Sequence, residues 1–192
     1  MGGASGPINL RSSDFPPGWT ATPAPGAGGG NDPGAAALLS CLKLPAADRS
    51  VVADTSSDVF ASGQAVQASS DVTIVSSATI GAQEVDALRT GAGLTCLGQV
   101  IGQAVSSQGV GVSGATVRAI PAPRVDGGPS MAAEYGATFT VGEQTLMAVT
   151  DEYFFARGTE QVTATFTAYG QPFPAAVEKT AVDNLASRVA VS

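Results

Sequence analysis

The strongest constraint on the fold lies in residues 112–169, which read as four β-strands in a row: 112–120, 132–141, 144–156 and 159–169. The joints between them are turn-forming, notably Asp126-Gly127-Gly128-Pro129, Val141-Gly142-Glu143 and Arg157-Gly158. Connections this short join antiparallel neighbours, because a parallel pair needs a crossover of about a dozen residues or more. A four-stranded antiparallel meander is therefore expected. In its last strand Val162, Ala164, Phe166 and Ala168 alternate with Thr163, Thr165 and Thr167, which sets an apolar face against a hydroxyl face.

The rest of the chain must cover that sheet. Residues 64–78 place Val66, Ala68, Ser70, Val72 and Ile74 at alternate positions, the period of one more half-buried strand. Helical spacing appears in 82–89. It resumes after Thr90-Gly91-Ala92-Gly93 in 94–107, where Leu94, Leu97, Ile101 and Val105 form one stripe. An earlier helix starts at Asp32-Pro33-Gly34, with Asp as cap and Pro in the first turn, and continues through 35–44 until Pro45. Gln171-Pro172-Phe173-Pro174 ends the last strand and opens a final helix to about Val189. Its core stripe is Val177, Ala181, Val182, Leu185 and Val189, with Glu178, Lys179, Asp183 and Arg188 expected to face water. Residues 46–63 fit irregular structure or a short edge strand. The predicted class is α+β, an antiparallel sheet with helices packed on it. Residues 1–7 read as a flexible leader, and 8–192 as a single domain with a Gly/Pro-rich loop at 21–31.

Composition narrows the chemistry. The 192 residues include no histidine, which excludes Ser-His-Asp and Cys-His nucleophiles, His-ligated metals and an imidazole switch. Nine Lys plus Arg against sixteen Asp plus Glu give a net charge of −7, and the basic residues are scattered, so no nucleic-acid partner is expected. Charged residues make up only 13% of the chain, which leaves the surface to Ser, Thr, Gln, Gly and Ala. The two cysteines, Cys41 and Cys96, each sit in an apolar helical context. Their even count favours a disulfide joining two helices over two buried thiols, and a disulfide implies an oxidising compartment. No signal-like or membrane-spanning segment is visible in the sequence.

Several motifs match catalytic patterns only literally. Gly109-x-Gly111-x-x-Gly114 follows a helix and precedes a strand, the reverse of a dinucleotide site. Ser40-x-x-Lys43, with Lys179-Thr180-Ala181 as a faint Lys-Thr-Gly echo, belongs to helix surfaces. Asp54 and Asp58 form a loop with at most weak cation affinity. Asp151 and Glu152 are adjacent on a strand and must point to opposite faces. The sequence thus points to no catalytic residue, no metal site and no cofactor. Its candidate ligand groove is aromatic: Trp19, Tyr153, Phe155 and Tyr169, with Arg157 at the lip. Trp19 follows the Pro16-Pro17-Gly18 turn and also suits a plug at one end of the core.

The chain resembles a family of actinobacterial exported or lipid-anchored sensor-domain proteins, related to the PknH-like extracellular domain and to LpqN-type lipoproteins. The resemblance is carried by Leu10 to Thr20 (LRSSDFPPGWT), by Leu39-Ser40-Cys41-Leu42 and Leu94-Thr95-Cys96-Leu97, and by Arg157-Gly158-Thr159-Glu160 through Pro172-Phe173-Pro174 into the final helix. It implies a PsbP-like sandwich, export with a removed targeting or lipid-anchor segment, and a sensing or ligand-binding role at the cell envelope. It implies no catalytic residue. The expected partner is a small hydrophobic or glycan ligand or an envelope protein, with the membrane reached only through a removed N-terminal anchor. Two other roles compete: a histidine-independent hydrolase, and a surface interaction or antigenic protein without a small ligand.

Overall fold

A computed structural model describes residues 8–24, 33–45, 50–106, 111–141 and 144–192. The expected leader at 1–7 and most of the expected loop at 21–31 lie outside the described residues. Eight strands, β1 (Thr20–Thr22), β2 (Val51–Ser56), β3 (Val59–Ser62), β4 (Val66–Val75), β5 (Gly111–Ile120), β6 (Ser130–Val141), β7 (Gln144–Arg157) and β8 (Glu160–Tyr169), form one antiparallel sheet. The helices are α1 (Pro33–Cys41), α2 (Ala78–Leu88), α3 (Gly91–Ser106) and α4 (Ala175–Val189). The strand order β1-β3-β4-β8-β7-β6-β5 contains the expected meander β5 to β8, with β4 added against β8. The α+β class follows as anticipated.

Residues 46–63, read as irregular or as a short edge strand, hold both β2 and β3. The two lie end to end along one side of β4, as one strand broken at Ser57-Asp58, with β1 added outside β3. The break is repaired by a hydroxyl. The Ser57 amide donates to the Ser70 carbonyl at 2.8 Å, and Ser57 Oγ accepts from the Ser70 amide at 2.8 Å. Both donors that the interruption would orphan are thus satisfied.

The first helix is shorter than expected, ending at Cys41 rather than Leu44. Lys43 takes a left-handed φ of 57°, its amide reaches the Ser40 carbonyl and the Leu44 amide reaches the Leu39 carbonyl. This is the Schellman arrangement, and Pro45 drives it by keeping Leu44 out of the helical region. α2 and α3 begin slightly earlier than expected and meet at a tight corner. A Cβ on Gly93 would lie 2.1 Å from the Ala87 carbonyl oxygen, so this position accepts only glycine. Farther along α3, a Cβ on Gly98 would lie 2.6 Å from Val117 Cγ2, which shows how closely the helix rests on β5.

The helices divide between the two sheet faces. α4 covers one face, where Phe155, Val162, Phe166 and Val72 meet Val182, Leu185 and Val189 in a continuous core. The segment 8–15 lies along the same side, with Ile8, Leu10 and Phe15 buried. Two α4 residues expected in water are instead engaged here. Glu178 is 8% exposed and accepts a 2.8 Å hydrogen bond from the Tyr153 hydroxyl. Arg188 donates to the Ile8 and Asn9 carbonyls and to both Asp14 carboxylate oxygens. The helical period located the apolar stripe correctly, but the positions flanking it meet the sheet on one side and the N-terminal segment on the other. Lys179 and Asp183 stay exposed, as an ion pair.

On the other face, α2 and α3 pack over β6 and β7, with Val85, Leu88 and Leu97 against Met131, Ala133 and Ala156. The expected disulfide is present: Cys41 and Cys96 join α1 to α3 across 55 residues. A loop of that length corresponds to about 4 kcal/mol of unfolded-state entropy. An intramolecular disulfide is consistent with an oxidising, extracytoplasmic environment. Among the described residues no helix is long and apolar enough to cross a membrane.

Candidate functional site

The site begins with strand alternation. Thr163 and Thr165 oppose the apolar face of β8, and so point toward α1–α3. The sheet register extends this polarity sideways in rows. Asp54 of β2 sits beside Thr73 of β4, which sits beside Gln161 of β8. The next row runs Ser56, Asp71, Thr163 and Phe154, and the next Ser69, Thr165 and Glu152. A polar floor four strands wide results.

The helices do not close onto this floor. A cavity of about 550 Å³ separates it from a roof that includes Leu38 of α1 and Leu42 just after it, Val85 and Leu88 of α2, and Leu97 and Ile101 of α3. That is the size range of small-molecule sites, roughly 300–1,000 Å³. The Cys41–Cys96 bridge fixes two of the three roof helices to each other.

Four carboxyl groups reach the cavity: Asp54, Asp71, Glu84 and Glu152. Asp71 is exposed at the rim and accepts a hydrogen bond from the Ser56 hydroxyl. Glu84 accepts from the Gln161 amide. Glu152 is half-buried where it lines the cavity, and burial pushes its carboxyl up to about 7. It has no hydrogen-bond or ion-pair partner among the described residues. No Lys or Arg lines the cavity among the described residues. The arrangement can hydrogen-bond a ligand from a hydroxyl-rich floor, supply negative charge, and bury an apolar body under the roof.

Asp151 faces the opposite way, as the alternation of adjacent strand residues requires. Burial, then repulsion from and hydrogen bonding with Glu178, raise its carboxyl to about 7, and burial also raises the Tyr153 hydroxyl.

The five residues expected to line an aromatic groove lie elsewhere, apart from Phe155, which borders the cavity from its strand while its ring belongs to the α4-side core. Trp19 stacks on Phe15 at 4.8 Å and tilts against Phe173 at 5.7 Å, the position of a plug. Phe173 meets Phe166 edge-on, and Phe166 meets Tyr153 likewise, so Trp19 and Tyr153 are linked through the core rather than across an opening. Arg157 donates to the Val189 and Ser192 carbonyls and so ends α4 with a cation where the helix presents free carbonyls. Tyr169 is 38% exposed at the end of β8. Asp54 belongs to the cavity floor, whereas Asp58 is exposed at the strand break. Among the described residues no cluster of three or more acidic or cysteine side chains is arranged to hold a metal ion. Gly111 and Gly114 lie in β5, and Gly109 is outside the described residues. Ser40 and Lys43 are exposed at the end of α1.

Sequence reading missed the cavity floor. The signals that could have found it were the polar positions Ser69, Asp71 and Thr73 of β4, in phase with the threonines of β8. A polar strand face is ordinarily a solvated one, and nothing local says that helices stand over it. Compared with known proteins, the chain matches no family model and no curated sequence.

Proposed function

We propose that the protein is an exported cell-envelope domain of the sensor or lipoprotein kind that its sequence resembles, and that it binds a small molecule without converting it. The observation that carries this reading is the roughly 550 Å³ cavity between the stapled helices and the polar sheet face. An apolar roof over a few convergent polar groups is the usual form of a ligand site. The disulfide supports an oxidising location. Native mass spectrometry of the protein purified from its own host tests the reading. A small molecule retained by the native chain and lost from a cavity-filling Val100→Trp variant is the expected result. Absence of any retained molecule, or equal retention by the filled variant, overturns it.

A second reading, a carboxylate hydrolase, is favoured by one observation: Glu152, lifted to about 7 inside the cavity, is suited to act as a general acid near neutrality. Recovery of cleaved fragments from the native chain and of intact ligand from Glu152→Gln would support it over simple binding.

A further inference from the structure

The two ends of α4 are fastened to the rest of the fold by different chemistry. At the C-terminal end Arg188 meets Asp14 and Arg157 meets the Val189 carbonyl, so each contact sets a cation on an acceptor. At the N-terminal end two carboxyl groups face each other: Glu178, in the first turn of α4, and Asp151 of β7 lie within hydrogen-bonding reach. We propose that this pair is a pH-sensitive latch, closed while Asp151 and Glu178 share a proton and loosened as rising pH removes it, so that the first turn of α4 opens while its last turn stays fastened.

Three observations carry this. Glu178 is buried, and its Oε1 accepts a 2.8 Å hydrogen bond from the Tyr153 hydroxyl. Asp151 Oδ1 is also buried, and no donor among the described residues reaches it. A buried acceptor ordinarily has a donor, and a proton held between the two carboxyl groups supplies one. Third, the cation in the same sheet row is already engaged: Arg118 of β5 donates through two nitrogens to Glu134 of β6, at 2.7 Å each, and Glu134 stands beside Asp151. The remaining ionisable groups on this side are Tyr153 and, farther along α4, Asp183 with its partner Lys179. β8 places only Phe166 and Ala164 beside Asp151 and Tyr153, and Asp14 of the N-terminal segment is held by Arg188.

Asp151 is the proton carrier. Glu178 sits where the free amides of a helix start favour a negative charge, whereas burial and the facing Glu178 raise the Asp151 carboxyl to about 7, against 3.8 for a free aspartate side chain. The closed latch therefore holds a proton that the open one gives up between these values. Its advantage is complete below about pH 4, falls by up to about tenfold per pH unit as pH rises toward 7, and falls no further above that. Opening frees the segment 171–174, whose Phe173 packs on Trp19 and Phe166, and so uncovers one edge of the core.

Hydrogen exchange of the whole chain, read by mass spectrometry from pH 5 to 8 and corrected for the intrinsic pH dependence of amide exchange, tests this. Protection of the amides of 178–182 should fall at least about tenfold between pH 5 and 7 and level off by pH 8, while 185–190 keep theirs. Asp151→Asn, which brings a donor and no charge, should hold protection of 178–182 level across the range. Glu178→Gln should do the same, and is the check if the first variant does not fold. Glu152→Gln, on the other sheet face, should leave the loss in place. A level profile in the parent, an equal loss at both ends of α4, an unaltered loss in Asp151→Asn, or its disappearance in Glu152→Gln overturns the latch.

Discussion

The two faces of the sheet are made by the same strands and solve opposite problems. On the α4 face Val162, Ala164, Phe166 and Ala168 meet a helix whose apolar stripe fits them, and the Asp14–Arg188 pair fastens the N-terminal segment over the same layer. On the other face Thr163 and Thr165 meet helices that stop short of them, and the tie between α1 and α3 is covalent. One face concentrates packing and the other preserves space. The packed core and the cavity are thereby separated by one strand thickness, so a substitution should act on one with little effect on the other.

The largest test concerns the staple. Replacing both cysteines by serine should cost about 4 kcal/mol in urea unfolding, from loop entropy alone, and should also weaken any cavity ligand. A loss of stability without a loss of binding would show that the roof does not need its covalent tie.

Packing should come next. Leu185→Ala, at a fully buried position on α4, should cost about 3 kcal/mol. Leu38→Ala, which borders the cavity, should cost about 1 kcal/mol because part of its surroundings is already open space. Equal costs in urea midpoints at unchanged slope would erase the contrast between the faces.

Arg188→Ala removes the charged partner of Asp14, which is 2% exposed on its side chain and keeps only the Arg11 amide and Asn184 as donors. An uncompensated buried carboxylate is strongly destabilising; since Arg188 keeps some contact with water, about 2.5 kcal/mol is expected, measured by thermal unfolding. Ligand affinity should be unchanged.

The last effect is a pH dependence. Glu152 in the folded chain holds its proton to about 7, against about 4.5 for a free glutamate side chain. The folded state therefore binds more protons than the unfolded one between these values, and the empty protein should lose stability as pH rises through that window. Glu152→Gln should remove this loss and gain about 2 kcal/mol over the parent at pH 8, with the difference vanishing below pH 4.5. Melting temperatures of both proteins from pH 4 to 8 measure it. A Glu152→Gln variant that gains on the parent as pH rises would confirm a carboxyl held neutral by burial, and parallel curves would show it solvated.

Period and turn chemistry are local, and what they govern was legible. The meander, β4, the α4 stripe and the helix pair around Gly93 all follow from spacing along the chain. The disulfide followed from count and compartment. What escaped was non-local. Glu178 and Arg188 sit at helix positions that read as solvated, and their burial comes from Tyr153 and Asp14, residues 25 and 174 positions away. The aromatic residues suggested a groove, but the rings of Trp19, Tyr153 and Phe155 pack in the α4-side core while Tyr169 stays exposed. Glu152 could be assigned a face by parity but not a cavity, since the gap above it is set by how α1, α2 and α3 stand over β4 and β8.

The latch formed by Arg188 also sets an order of events. Its partners Ile8, Asn9 and Asp14 lie more than 170 positions earlier in the chain, so the segment that carries them cannot be fastened until the final helix exists. Contacts of such separation are costly to close early and form late. A chain emerging from its N-terminus first must keep Ile8, Leu10 and Phe15 unlatched until the last helix is available. During that interval the apolar face of β4 and β8 lacks its cover, and a chaperone has its clearest reason to bind.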